Sequence, residues 1–163
     1  MSDMPEHENH DEIRWTAELF PQSRDYLGVY EHFGLVRPGS LYAHCIHFDA
    51  PTWKRFADAG AIAVHCPTSN LFLGSGLFNY AAARDAGAGV ALATDVGGGT
   101  SFSMLRTMHE AHKAEILAKY DTDKDGKLSD EERAAMAKDK AAEHFAKLDT
   151  TIACAGATTP AFN

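Results

Sequence analysis

The sequence predicts a two-part chain, an α/β segment of parallel βα units followed by an all-α helix-loop-helix. Three observations carry this expectation. Helix-spaced apolar residues alternate with short apolar runs from Glu12 to Thr94. The composition changes near Ala111: seven of the eight lysines lie at or after Lys113, six of the seven arginines at or before Arg106, and eleven of the thirteen glycines at or before Gly99. Finally, a twelve-residue acidic loop from Asp121 to Glu132 separates two stretches rich in helix formers. The expected domains are therefore residues 1–110, residues 111–149, and a flexible tail of small and polar residues at 150–163.

In chain order, Glu12 to Phe20 and Tyr26 to Phe33 place Ile13, Leu19, Phe20, Tyr26, Val29, Tyr30 and Phe33 at helical spacings. Ser40 to Phe48, Ala61 to Cys66 and Val90 to Thr94 are apolar runs of strand length. Thr52 to Ala59 and Leu77 to Asp85, lying between them, read as crossover helices. In such units the residues just past the strand ends line the catalytic mouth. His44, the stretch from His65 to Asn70, and Asp95 fall there. Asp95 runs into Val96-Gly97-Gly98-Gly99-Thr100, a loop whose glycines let backbone approach a ligand before a helix opens near Ser101. A lone strand histidine is more often a core residue and a lone aspartate often a helix cap. Grouped at strand ends, the three point toward a metal or purine site.

The second part begins with Ala111 to Tyr120, where Ile116, Leu117 and Tyr120 gather on one helix face. In the following loop, Asp121, Asp123, Asp125, the Lys127 carbonyl, Ser129 and Glu132 stand where the EF-hand pattern places its oxygen ligands, with Gly126 at the sharp turn. The expectation is calcium binding through one EF-hand, followed by an Ala/Lys/Glu helix from Asp130 to Leu148. An acidic turn capping a helix uses many of the same residues. A second loop starts at Leu148-Asp149-Thr150-Thr151 and fails at Ala153 and Cys154, so the single hand favours self-association or docking.

The net charge of -8 and the lack of a basic stripe exclude a nucleic-acid backbone as partner. With no signal-peptide pattern and no long apolar stretch, the expectation is a cytoplasmic chain without a membrane partner. Cys45, Cys66 and Cys154 form no Cys-x-x-Cys pair and read as buried or free thiols.

Several blocks closely resemble guanine deaminase of the zinc amidohydrolase superfamily: Glu8-Asn9-His10-Asp11-Glu12-Ile13, Ser23-Arg24-Asp25-Tyr26-Leu27, Ala43-His44-Cys45-Ile46-His47, Cys66 through Gly76, and Thr94 through Ser103. The resemblance spans residues 8–113. It implies a partial (β/α)8 barrel, its last strands and helices only, from an enzyme that converts guanine and water to xanthine and ammonia with zinc. By resemblance, Asp95 matches a zinc ligand that also takes a proton from water, His44 contacts nucleophile and substrate, and Glu8 protonates the purine.

The family's His-x-His pair at the first strand is lacking, and Pro5 stands where a further histidine ligand belongs, with His7 nearby. The zinc site implied by the resemblance is thus incomplete, reduced to Asp95. A segment of this kind exposes strand edges that another chain or a second copy could cover. The sequence reading is therefore calcium binding by an EF-hand attached to a deaminase-like segment inactive alone. Its alternative is a zinc-dependent guanine deaminase, its turnover open to calcium regulation.

Overall fold

The computed structural model describes the backbone of residues 10–156 and the side chains of residues 10–143. Contacts divide the chain into two compact units, Met1–Ala118 and Lys119–Asn163.

The first unit is organised around three short parallel strands, β1 (Leu41–Ala43), β2 (Ile62–His65) and β3 (Gly89–Leu92), in the order β1-β2-β3. Leu41 pairs with Ile62 and Ile62 with Gly89, so the strands rise in step and end together. Each connection is helical, as a parallel pair requires. Helices α1 (His10–Leu19) and α2 (Tyr26–His32) precede β1, α3 (Ala50–Asp58) links β1 to β2, and α4 (Pro67–Leu73) and α5 (Tyr80–Asp85) link β2 to β3. Helix α6 (Met104–Tyr120) then follows as one continuous element.

Local chemistry explains the boundaries. Asp49 caps α3 by accepting from Thr52 N at 2.9 Å, and Pro51 sits in its first turn where no N–H is needed. Gly60, at φ +70, ends that helix and lies so near Pro38 that a Cβ would stand 3.3 Å from the Pro38 Cα. Helix α4 is missing from the sequence reading, which takes His65 to Asn70 as a strand end. Its signals are punctuation rather than periodicity: Pro67 at the start and Gly74 in the left-handed region at the close.

The core is aromatic. On α3, Thr52, Trp53 and Phe56 face inward. Trp53 meets Phe48, Phe56 and Phe78 with ring centroids 4.9, 5.9 and 5.7 Å away, and Phe56 meets Tyr42 of β1 at 5.5 Å. These edge-on contacts add about 0.5–1.5 kcal/mol per pair to the burial of the rings themselves. Arg55, on the outer side of α3, donates to both carboxylate oxygens of Asp25 at 2.8 Å and to Glu31 at 3.1 Å, clamping α2 against α3. Asp25 also caps α2 through Gly28 N, so one carboxylate serves a helix end and an ion pair.

In the second unit, α7 (Asp130–Gly156) follows the acidic loop. It continues past residue 150, through the first part of the segment expected to be a flexible tail, because Thr151-Ile152-Ala153-Cys154 contains no breaker before Gly156 and an established helix extends easily. The rest of that tail, residues 157–163, lies outside the described residues. Within the loop, Glu132 accepts from Thr122 N at 2.6 Å and Ser129 N at 2.9 Å, and Ser129 Oγ accepts from Glu132 N at 3.3 Å. This is a reciprocal helix cap. Asp121 accepts from Gly126 N at 2.9 Å, and Asp125 from Lys127 N at 2.7 Å.

Hydrogen bonds from the Thr122 and Ser129 backbone hold the Glu132 carboxyl down at about 2. A lowered carboxyl pKa stabilises the folded loop above the ordinary glutamate value, and that contribution is lost as pH falls through the folded value. Acid titration followed by the amide signals of Thr122 and Ser129 is expected to show the loop intact at neutral pH and opening between about pH 4.5 and 2. Glu132→Gln is expected to loosen it already at neutral pH, because the charge-assisted acceptor is gone.

Candidate metal and catalytic site

The parallel register delivers the sequence candidates to one end of the sheet. The ladder continues past the strands, with His44 N bonded to Val64 O at 2.9 Å and Ala93 N to His65 O at 3.0 Å. His44 therefore leaves β1 beside Cys66, and Asp95 leaves β3 beside both.

His44 is the centre of a tight reversal: Cys45 N bonds Ala43 O at 2.9 Å, and His44 has φ +65. A three-residue turn of this hand is uncommon and strained for a residue with a side chain. Asp95, at φ +51, opens the glycine loop, whose Gly98 and Gly99 amides both return to the Asp95 carbonyl. Positive φ at two non-glycine residues facing one another marks a place where orientation was favoured over backbone comfort.

The outcome is a compact donor group. His44 Nε2 lies 3.9 Å from Asp95 Oδ2. A ligating atom from each of His44, Cys66 and Asp95 lies within 4.8 Å of the others. His44 and Cys66 are buried, whereas the Asp95 side chain is 32 % exposed and gives the site its open side. Helix α4 supplies the wall: Asn70 Nδ2 lies 2.9 Å from His44 Nδ1 and fixes the ring, while Thr68 Oγ1 donates to Thr94 O at 3.2 Å. Ser69 Oγ and Asn70 Oδ1 are buried there without a hydrogen-bond partner. Behind them His65 stacks on Phe78 at 4.7 Å, and burial, with His44 nearby, lowers its pKa to about 4, so it is a neutral ring at pH 7.

The floor is glycine by necessity. A Cβ on Gly98 would stand 2.9 Å from Asp95 Oδ2 and 3.0 Å from Ser69 Oγ. On Gly99 it would fall on the Thr94 carbonyl and within 2.7 Å of Thr68 Oγ1.

Of the sequence candidates, His44 and Asp95 meet here. Glu8, with His7 and Pro5, lies outside the described residues. His109 and His112 are exposed on α6. Sequence spacing leaves Cys66 a bystander thiol, because its distance along the chain from any other cysteine says nothing about neighbours across strands. Asn70 and Ser69 fall within the marked stretch, but only α4 turns them toward the site.

The amidohydrolase family model matches residues 4–149. The chain belongs to the amidohydrolase family. Guanine deaminase of Escherichia coli is 43% identical to this amidohydrolase over 113 residues, 69% of this chain and 26% of that protein. The probable guanine deaminase of Deinococcus radiodurans is 47% identical over 105 residues, 64% of this chain and 24% of that protein. Among solved structures, the guanine deaminase from C. acetobutylicum with bound guanine matches with a TM-score of 0.69 at 31% identity, over 75% of this chain and 29% of that one. The E. coli guanine deaminase structure matches with a TM-score of 0.66, over 70% and 27%. The amidohydrolase chain thus spans about a quarter of the length of the curated relatives it matches. Its fold is a fragment of the amidohydrolase barrel type, helices around a small parallel sheet.

These matches correct the expectation that calcium binding is the chain's function. The amidohydrolase match runs through the acidic loop to residue 149, and the relatives are guanine deaminases. Physically, the loop carboxylates of Asp121, Asp125 and Glu132 are engaged by the loop's own N–H groups and serve as turn and cap acceptors. Calcium as cofactor falls with that reading; of the expected ligand set of Asp121, Asp123, Asp125, Lys127, Ser129 and Glu132, a carboxylate oxygen from each of Asp121, Asp123 and Glu132 lies within 4.8 Å of the others. Among the described residues no helix is long and apolar enough to cross a membrane.

Proposed function

We propose that this amidohydrolase chain carries a guanine deaminase site, replacing the exocyclic amino group of guanine by oxygen from water and releasing xanthine and ammonia. The carrying observation is the His44–Asp95 pair, 3.9 Å apart past the ends of β1 and β3 on either side of β2, above a side-chain-free glycine floor. It lies within residues 4–149, which the amidohydrolase family model matches.

The roles follow from position. Asp95, reaching solvent yet held at φ +51, is placed to accept a proton from an incoming water. His44 is buried and oriented by Asn70, so its Nε2 meets the same water or the substrate with little rotational freedom. Gly98 and Gly99, where a side chain would collide with Asp95, Ser69, Thr94 and Thr68, let the loop pack tightly enough to hold Asp95 beside His44. The amino group leaves as ammonia once a proton reaches its nitrogen, and Glu8 is the residue that the resemblance assigns to supply protons to the purine. Zinc, when bound, supplies the Lewis acidity that makes water a nucleophile near neutral pH. Asp95 is the zinc donor assigned by resemblance.

The test is xanthine formation from guanine by the purified chain with added zinc. Turnover is expected, and a His44→Ala, Asp95→Ala double variant of unchanged circular dichroism is expected to lose it by about 10²-fold or more. A folded, zinc-loaded chain that forms no xanthine overturns the proposal.

A further inference from the structure

We propose that Asn70 is a positioning residue that holds His44 in the neutral tautomer with its proton on Nε2, so that His44 donates a hydrogen bond into the site and leaves Asp95 as the member of the pair that accepts a proton from water. The inference rests on the deaminase reading above and deepens it, giving a buried amide a role that the resemblance does not assign.

A neutral imidazole carries one ring proton, and the partner of one nitrogen decides what the other can do. Asn70 Nδ2 lies 2.9 Å from His44 Nδ1. An amide nitrogen only donates, so in this arrangement Nδ1 is the acceptor and the proton resides on Nε2. The far side of the ring agrees. Asp95 Oδ2 faces Nε2 across 3.9 Å. That gap is too long for a hydrogen bond, yet it sets a carboxylate opposite an N–H rather than opposite a lone pair. Turning the amide over would put Oδ1 against Nδ1, draw the proton there and leave a bare Nε2 facing the carboxylate, where the two repel.

The amide is held as firmly as the ring it serves. Asn70 is buried, its N–H donates to Cys66 O at 2.9 Å, and its carbonyl accepts from Ser75 N at 3.0 Å. Asparagine is a poor helix former, and this one sits inside a seven-residue helix without belonging to the aromatic core. Its side chain bonds His44, while Oδ1 has no partner among the described residues. His44 is itself buried on a tight reversal at φ +65, so its ring has little room to exchange the two nitrogens.

In deamination a bond forms between the water oxygen and the purine carbon, and the water gives up a proton. With Nε2 already protonated, His44 cannot take it, and the proton passes to the Asp95 carboxylate. The Nε2–H bond is then available to stabilise charge on the oxygen being added. The opposite tautomer would present a lone pair to that oxygen and lose the contact.

The test is nitrogen NMR of the whole chain with isotope-labelled histidine rings, at about pH 8.5, above the ordinary imidazole value of about 6.5. The His44 signals are identified by their absence from His44→Gln. In the unaltered chain Nδ1 is expected to be bare and Nε2 protonated. Asn70→Asp keeps the shape of the side chain but offers only acceptors. It is expected to move the proton to Nδ1 and to lower kcat for guanine by about 10²-fold or more, with KM changed by less than about 3-fold. A packing role alone would not move the proton. A protonated Nδ1 in the unaltered chain, an unchanged tautomer in Asn70→Asp, or an unchanged kcat once the tautomer has switched overturns the assignment. The reading on the unaltered chain needs neither the variant nor guanine. A chain with Nε2 protonated that makes no xanthine keeps the tautomer assignment and loses the deaminase reading. Turnover with Nδ1 protonated does the reverse.

Discussion

Trp53→Ala is expected to unfold the α/β unit, whereas Trp15→Ala leaves its stability almost unchanged. Both tryptophans lie on helices, but Trp53 is 1% exposed and Trp15 63%. Trp53 is the hub of the aromatic core, with ring contacts to Phe48, Phe56 and Phe78 that join α3 to the segments after β1 and before α5. Removing a large buried aromatic side chain costs about 3–5 kcal/mol, against about 5–15 kcal/mol for the total stability of a domain. The neighbours that would have to collapse into the space are themselves large rings held edge to edge. A fragment resting on three short strands has little other burial to offset the loss. Urea unfolding followed by circular dichroism decides it: a midpoint shifted by less than a tenth in Trp53→Ala would show that the core lies elsewhere. Trp15→Ala is expected to fall within about 0.5 kcal/mol of the unaltered chain.

Gly99→Ala is expected to abolish xanthine formation. Its added Cβ would fall on the Thr94 carbonyl oxygen, 2.7 Å from Thr68 Oγ1 and 3.0 Å from the Asp95 carbonyl. The first and third of these are backbone atoms and cannot swing aside. Thr68 is anchored to Thr94, so the remaining relief is outward movement of the loop that carries Asp95. A displacement of even 1 Å there separates Asp95 from His44 and Cys66, and misplacement on that scale can cost roughly 10²-fold in rate. Gly97→Ala is the informative partner. Gly97 has φ +112, but a methyl group added there would meet no atom within 4 Å, so it tests backbone strain without collision. Gly99→Ala retaining the unaltered chain's turnover would mean that the glycine floor does not position Asp95.

The alternation of helical spacing and short apolar runs is enough to read three strands in parallel order, because a buried parallel strand is a continuous apolar run and its crossover is amphipathic. Helix α4 is not legible in the same way. Its seven residues are too few for periodicity, and Thr68-Ser69-Asn70 are polar yet buried, since they face a site rather than a core. The acidic loop misleads in the opposite direction. Its spacing of oxygen atoms fits a calcium pattern, but carboxylates that can ligate an ion also serve as turn and cap acceptors, and spacing alone does not separate the two.

What the sequence determined by itself is the amidohydrolase resemblance, the order of the βα units, and the candidacy of His44 and Asp95, because each of these is written in contiguous residues. Only the tertiary structure decided that Cys66 joins them. That residue lies 22 positions after His44 and 29 before Asp95 in the chain, and no local pattern connects the three. Parallel strands paired in register bring their ends to one level, and a ladder that runs from His44 through Val64 and from His65 through Ala93 places three unrelated positions around one point.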